Sequence, residues 1–367
     1  MVFYGETEMT VLRIPTVPNS PLKSIGDKQE FGRMRLRKNS FLNFIENAEF
    51  DPKLATYDDN YQNSQAHSKL FRQHMESVLN LLKREFPSGS RIVEVGCGKG
   101  SFVDLIEADG HFKVTGYDET YEGNNPLIHK RFLQAGDKID ADVIVLRHVL
   151  EHIQAPHKFL MMLREVFSSG KIYIEVPNHD WIVANQTFFD ITYEHVNYFS
   201  QHALRALFND DTSKFGFCFG DQYQYIIADI ESLSKSFASN YESMDWDDLE
   251  FDTLFPNISE KITAIQNKLG DIGKLYIWGA ATKGCMFLVH CANRNALLNR
   301  VAFAIDVNPD KCGKFLPGSL VPIRSKEAFF KAAQNHDLLL ISNPNYKDEI
   351  VAELKLHSLD NLQVLTL

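Results

Sequence analysis

Arg91-Ile92-Val93-Glu94-Val95-Gly96-Cys97-Gly98-Lys99-Gly100 is the stretch from which the rest of the chain can be read. Four residues of strand character, Ile92 to Val95, run directly into glycines at alternate positions, and Ser101 to Ala108 has the apolar spacing of a helix. The unit is strand, glycine turn, helix. Gly96, Gly98 and Gly100 allow positive φ and let a ligand lie against the main chain, while the N–H groups at the start of the helix face that ligand. Asp118 closes a second strand-like run, Phe112 to Tyr117, where a carboxylate can accept hydrogen bonds from both hydroxyls of a ribose. A dinucleotide fold wants G-x-G-x-x-G. Here the spacing is G-x-G-x-G, with the acidic Glu94 inside the preceding strand.

Outward from this unit the same alternation continues. Asp142 to Leu146 reads as a buried strand leading into Arg147-His148-Val149-Leu150-Glu151-His152; a helix over 156–167 follows, then a strand, Lys171 to Val176, ending in Pro177-Asn178-His179. Alternating strands and helices predict a parallel sheet covered on both faces, with ligands at the carboxyl ends of its strands. Ahead of the core, Tyr57, Tyr61, Asn63, Ser64 and His67 lead into an amphipathic helix carrying Leu70, Phe71, Met75, Val78, Leu79 and Leu82. They either cap that helix or cover a ligand. Beyond residue 200 a short helix precedes two strand-like runs, Phe215–Gly220 and Tyr223–Ile230, and the first domain is expected to span 57–230.

An acidic linker and connecting helix, 231–270, leads to a second α/β pattern over 271–367: strand Leu275–Trp278, the turn Gly279-Ala280-Ala281-Thr282-Lys283-Gly284, a helix from Cys285, strand Val301–Ile305, Asp306, and strand Asp337–Ser342. Thr282 and Lys283 between two glycines at a helix start suit a phosphate. Cys285-Met286 rules out a Walker loop, and a turn that only packs helix on strand is the other reading. A chain of 367 residues exceeds the roughly 250–300 that one core supports, so two cores and a linker are expected. Residues 1–56 form an arm without a clear period. Its basic run, from Lys23 to Lys38, is either a solvated face or a cover for an anionic substrate.

Five scattered cysteines, never C-x-x-C, indicate neither a disulfide framework nor a zinc site, and no metal is expected. The net charge of −10 argues against nucleic acid as a partner. No run of apolar residues reaches a membrane span and the N-terminus is not a signal peptide, so the expected location is the cytoplasm.

With Gly96, Gly98, Gly100, Asp118 and Leu150-Glu151-His152 in place, residues 57–230 resemble a class I S-adenosylmethionine-dependent methyltransferase. Asp190-Ile191-Thr192-Tyr193-Glu194-His195-Val196-Asn197-Tyr198-Phe199-Ser200 resembles the Glu-His-x-x-Tyr-Phe-Ser segment of bacterial C-methyltransferases acting on nucleotide-linked deoxysugars. The Gly279–Gly284 turn, Asp306-Val307-Asn308-Pro309-Asp310-Lys311, Leu316-Pro317-Gly318-Ser319 and Val321-Pro322-Ile323 resemble the C-terminal domain of that family. The resemblance implies a Rossmann-like, seven-stranded methyltransferase sheet followed by a second, smaller Rossmann-like α/β domain. It implies S-adenosyl-L-methionine as cofactor, leaving as S-adenosyl-L-homocysteine, held by Tyr61, Ser64, Glu94, Gly96, Cys97, Gly98, Gly100, Ser101, Asp118, Arg147 and His148. A nucleotide sugar is expected against His152, Asn178, His179, Tyr198, Gly279, Ala280, Thr282, Lys283 and Gly284. Removing a proton beside a ketone needs a base, and imidazole with a neighbouring carboxylate suits that task, so His195 is the expected base with Glu194 orienting it and Tyr193 beside them.

Two departures qualify the resemblance. Family members usually begin with a zinc-binding module of paired cysteines, and this sequence has no Cys or His before residue 51; where the family often has Tyr two places before the Glu, Thr192 stands, with Tyr193 one place closer. O- or N-methylation of a related metabolite is the alternative reaction, and a nicotinamide-dependent oxidoreductase or a non-catalytic scaffold are the alternatives of another class. The oligomeric state stays open.

Overall fold

The computed structural model describes residues 12–55, 68–242, 245–271 and 273–367, and the first described elements are strands too short to register a sequence period. They are β1 (Leu12–Pro15), β2 (Phe31–Met34), β3 (Leu36–Asn39) and β4 (Phe44–Asn47). β1 pairs antiparallel with β2, and β3 with β4. The arm's guanidinium groups meet carboxylates: Arg33 and Arg35 lie on Glu49, Arg35 also on Asp248 at 2.7 Å, and Arg37 on Glu46. These arginines brace the arm and do not line the cleft described below.

Helix α1 (Lys69–Glu85) is capped by Ser68, whose Oγ accepts from the Phe71 N–H at 3.1 Å. It buries Phe71, Met75, Val78, Leu79 and Leu82, the predicted face, and with them His74. β5 (Arg91–Val95) then opens the main sheet, α2 (Ser101–Asp109) follows its glycine turn, and β6 (Lys113–Tyr117), β7 (Ile128–His129) and β8 (Val143–Arg147) come next. After α3 (Pro156–Phe167) and β9 (Lys171–Pro177), α4 (His179–Ala184), β10 (Asn197–Phe199) and α5 (Gln201–Ala206) lead to the hairpin β11 (Lys214–Cys218) and β12 (Tyr223–Asp229). The seven strands lie in the order β11-β12-β9-β8-β5-β6-β7, with only β12 antiparallel to its neighbours. Burial of both faces is what lets Val143 to Leu146 be uniformly apolar. The expected sheet is formed, and its carboxyl edge carries the glycine turn, Asp118, Arg147 and Asn178.

The linker is not featureless. It holds α6 (Lys235–Glu242), β13 (Trp246–Asp248), α7 (Phe251–Leu254) and α8 (Ile258–Leu269), and β13 joins the arm's sheet, which runs β10-β4-β3-β13. The second domain alternates β14 (Leu275–Trp278), α9 (Thr282–Asn293), β15 (Val301–Ile305), β16 (Ile323–Arg324), α10 (Lys326–Ala332), β17 (Leu338–Ile341), α11 (Lys347–Leu356) and β18 (Gln363–Thr366). Its five strands are all parallel, ordered β16-β15-β14-β17-β18. Beside the clusters that pack each sheet, one apolar cluster runs from Ile14, Met34 and Ile45 of the arm through Phe188, Phe189 and Ile191 to Phe287 and Leu288 of α9. The segment after α4 docks directly on α9 and so sets one sheet against the other. Among the described residues no helix is long and apolar enough to cross a membrane.

Candidate active site

The glycine turn leaves β5 with Gly96, Gly98 and Gly100 all at positive φ, and the Gly96 N–H donates to the Tyr117 carbonyl at 2.8 Å. A Cβ on Gly100 would come within 2.4 Å of Ile128 Cδ1, whereas one on Gly98 would meet nothing within 4 Å. Gly100 is therefore needed for packing, while Gly98 leaves open space over bare main chain, a cradle that fits an adenosine-bearing cofactor. Asp118 is tied into this turn: one oxygen accepts from the Gly98 N–H at 2.7 Å, the other from the Thr120 N–H at 2.8 Å and its hydroxyl at 2.7 Å. Ser101 begins α2. Cys97 turns its thiol inward toward Gly116, so only its backbone is on offer there.

Glu94 and Arg147 form the floor beneath. Burial pushes the Glu94 carboxyl up to about 8, against the pull of Arg147 3.9 Å away, and its Oε2 has no hydrogen-bond partner among the described residues. Arg147 is also 3.8 Å from Glu175 and stacks over Phe102. It braces buried carboxylates rather than reaching for a ligand. Tyr61 and Ser64, expected over the cofactor, lie outside the described residues.

A cleft of about 500 Å³ opens between the carboxyl edges of the two sheets, lined by His148, Glu151, His152, Asp190, Glu194 and His195 on one side and by Gly279, Thr282, Lys283, Asp306 and Lys311 on the other. Behind its wall, Glu175 accepts from the Tyr173 hydroxyl at 2.6 Å and lies 2.9 Å from His74 Nε2 and 3.0 Å from His148 Nε2. Burial alone would raise Glu175, but Arg147 and His74 hold it well below the usual carboxylate range. His148 itself is at positive φ, with Nδ1 3.4 Å from Glu151. Although burial opposes its charge, Glu151 and Glu175 together push it up to about 9. His152 Nδ1 lies 2.9 Å from the backbone carbonyl of Glu194, which fixes that ring as the donor, and burial lowers its pKa. The ring of His195 stands 5.0 Å from that of His152, edge to face, and burial, followed by the charge of His152, pushes it down to about 3.

Several expected groups do not reach the cleft. Tyr193 is fully buried against the arm, its hydroxyl accepting from the Asp51 N–H at 2.7 Å and its ring packed on Phe50 and over Gly32. That placement makes it a brace for the loop and leaves no oxygen for catalysis. Tyr198 donates to the Thr192 carbonyl at 2.9 Å and accepts from the Thr192 N–H, so it too closes the loop instead of touching substrate. Asn178 caps α4 through the Trp181 N–H, and His179, pushed down to about 4 by burial, sits inside the protein. In the second domain the helix begins at Thr282, earlier than expected, so the turn is only Gly279-Ala280-Ala281. Both glycines answer to packing: a Cβ on Gly279 would meet Ser342 Oγ at 2.1 Å, and one on Gly284 would meet the Gly279 oxygen at 2.1 Å. Ala280 is buried, its carbonyl accepting from Lys311 at 3.2 Å. Thr282 Oγ1 accepts from Asn19 of the arm at 2.7 Å, and Lys283 is ion-paired with Asp190 across the cleft.

The groups that sequence reasoning passed over are Glu151, Asp190, Asn19, Asp306, Lys311 and Lys326. Asp306 had a signal, being the first residue past β15 at a carboxyl edge. Asp190 opens the segment quoted for its resemblance, but only the docking of that segment onto α9 carries it to the cleft; Asn19 had no signal, being brought there by the docking of the arm.

A parallel sheet closed by the β11–β12 hairpin, an open glycine cradle at its central strand and an acid ending the next strand define a class I methyltransferase. Residues 66–211 match the family described as "Methyltransferase domain" and residues 249–362 the "C-methyltransferase C-terminal domain". The chain thus carries a methyltransferase domain followed by a C-methyltransferase C-terminal domain, and it is an S-adenosylmethionine-dependent methyltransferase. It is similar to the C-methyltransferase NovU of Streptomyces niveus, with 24% identity over 312 residues, 76% of this chain and 73% of the relative. Among solved structures it is similar to a SAM-dependent methyltransferase from Archaeoglobus fulgidus (21% identity, 43% of this chain, 96% of that one, TM-score 0.31). A magnesium protoporphyrin IX methyltransferase from Synechocystis with bound SAM matches at 16% identity, 44% of this chain and 79% of that one, with a TM-score of 0.31.

Proposed function

We propose that the enzyme methylates a carbon beside the ketone of a nucleotide-linked deoxysugar, with His195 as the base. The observation that carries this reading is a shared cleft in which His195 faces the carboxyl edge of a second, Rossmann-like sheet. S-adenosylmethionine, when bound, supplies a methyl group on a sulfonium, and the Gly96–Gly100 turn with Asp118 is the part of the chain suited to hold its adenosine. The second sheet is suited to the nucleotide. Its α9 begins in the cleft with N–H groups that lack helical partners, which favours an anion there, and Asp306 ends the adjacent strand. Lys283 would serve phosphate only by giving up part of its contact with Asp190.

Among the three imidazoles of the cleft, His148 is held as a cation by two carboxylates and has no lone pair to offer, while His152, donating through Nδ1 to the Glu194 carbonyl, keeps its lone pair on Nε2. His195 is held neutral, with Nδ1 unpartnered among the described residues. A neutral imidazole can take the α-proton, the C–H electron pair passing to the ketone oxygen as an enolate. Glu194, on this reading, orients the pair of rings through its carbonyl on His152. His195→Asn should lower turnover of a dTDP-linked keto-deoxyglucose by roughly 10²–10⁴-fold while S-adenosylhomocysteine binds as before in calorimetry. Wild-type turnover in that variant, or transfer of the methyl group only to oxygen, would refute the assignment.

A further inference from the structure

Glu151 is 1% exposed and stands among three imidazoles. One of its oxygens lies 3.4 Å from His148 Nδ1; the other has no hydrogen-bond partner among the described residues. One donor atom each from Glu151, His152 and His195 lies within 4.8 Å of the other two. A carboxylate this deep is costly to keep charged unless several cations or donors share it, and three histidines converge on it here. Two of them are uncharged at rest, so its charge exceeds what the resting site needs.

We propose that Glu151 is the positioning residue of the methyl transfer, a buried counter-charge that fixes the His152–His195 pair and stabilises His195 once that ring has taken the substrate's proton. The inference rests on the reading of His195 as base. The groups facing His195 are His148 and Lys283, which oppose a further positive charge, His152, which is uncharged at rest, and Glu151, which favours it. Those facing Glu151 are His148, His152 and His195. When the proton moves from carbon to the imidazole, the cation appears beside an existing carboxylate that needs no reorganisation, the arrangement that lowers a barrier most in a site sheltered from water. His148, paired on its far side with Glu175, keeps the carboxylate turned toward the rings. It also makes a divalent ion a poor tenant, because such an ion would share Glu151 with a neighbouring cation.

Glu151→Gln keeps the shape and removes the charge. With S-adenosylmethionine and a dTDP-linked keto-deoxyglucose, kcat should fall at least tenfold, and the acidic limb of its pH profile should move to lower pH. Glu151→Asp should restore the limb most of the way, and S-adenosylhomocysteine affinity should hold in both. Independently of any sugar substrate, the ring signals of His195 in ¹³C-histidine NMR, assigned by their loss in His195→Asn, should titrate at lower pH in Glu151→Gln than in the wild type. An unmoved His195 titration overturns the proposal, as does a lower kcat with an unmoved limb, which marks a merely structural contact. Loss of wild-type activity to a chelator, with recovery on adding zinc or manganese, also overturns it. If Glu151→Gln does not fold, the limb and titration of Glu151→Asp decide the matter in the same way. An inactive His195→Asn beside a normal Glu151→Gln sinks this inference alone, whereas a fully active His195→Asn sinks the base itself.

Discussion

Asp118 offers about four acceptor sites on its two oxygens, and the turn already fills three of them through Gly98 and Thr120. One site is left, on the oxygen that accepts from Gly98, and the three bonds hold the carboxylate in a fixed orientation in which a ribose hydroxyl could take it. Asp118→Asn should weaken S-adenosylhomocysteine binding by the roughly 1.5–3 kcal/mol of a charge-assisted hydrogen bond, about 10- to 150-fold. Calorimetry reads it, and unchanged affinity in a folded variant would remove Asp118 from the cofactor site. At this scale the sequence was informative where chemistry depends on local pattern. The glycine turn, and the place of Glu194 and His195 in the cleft, could be anticipated because each sits at a strand end or in a short recognisable run. Tyr193 and Tyr198 could not be sorted from substrate ligands, since a phenol reads the same whether its hydroxyl meets a sugar or a backbone two strands away. What decides it is the partner: Asp51 for one and Thr192 for the other.

The contact between the segment after α4 and the first turn of α9 is the element-level feature on which the cleft depends. Asp190 and Lys283 face each other across it, with side chains 15% and 18% exposed, and the ammonium also lies 5.7 Å above the Trp181 ring. Removing one partner of a pair this sheltered leaves a poorly solvated charge, at a cost toward the lower end of the about 3–5 kcal/mol seen for buried pairs. Removing both should cost less than the sum. In urea unfolding, Asp190→Asn and Lys283→Met should each destabilise strongly, and the double variant should recover at least about 1 kcal/mol; additivity of the two singles would show that the pair does not couple the elements. Long apolar runs such as β8 and the amphipathic α1 were legible because their periods are strong. The arm's strands of four residues were not, because four residues show no period and the outer partners of β4 and β3, β10 and β13, lie far along the chain. The early start of α9 was not legible either, since Thr282-Lys283-Gly284 has turn-like composition, and only the structure shows that its glycine packs closely against Gly279.

Across the whole molecule, buried imidazoles set the response to acid. His195 and His290 are pushed down to about 3 and His179 to about 4, in each case chiefly by burial. For each, the folded-state pKa lies below the unfolded value near 6.5, so the unfolded chain binds the proton first. Their stabilising contribution is whole above pH 6.5 and is lost as pH falls toward 3–4, at up to about 1.4 kcal/mol per group and pH unit. Glu94, raised to about 8, runs the other way: its contribution is whole below its unfolded value near 4.5 and is lost as pH rises through 8, offsetting about one histidine between pH 4.5 and 6.5. His148, raised to about 9, contributes below pH 6.5 and loses that contribution as pH rises through 9. Net stability should thus decline on the acid side from pH 6.5 to 4.5. His290 is the cleanest probe, being fully buried in α9 and stacked on Phe251, away from the residues of the cleft. His290→Leu cannot take up the proton, so urea unfolding at pH 6.5 and 4.5 should show its acid loss smaller than the wild type's by about 2 kcal/mol. An equal loss in both proteins would mean that His290 keeps an ordinary pKa, and that the core shared by arm, loop and α9 admits water.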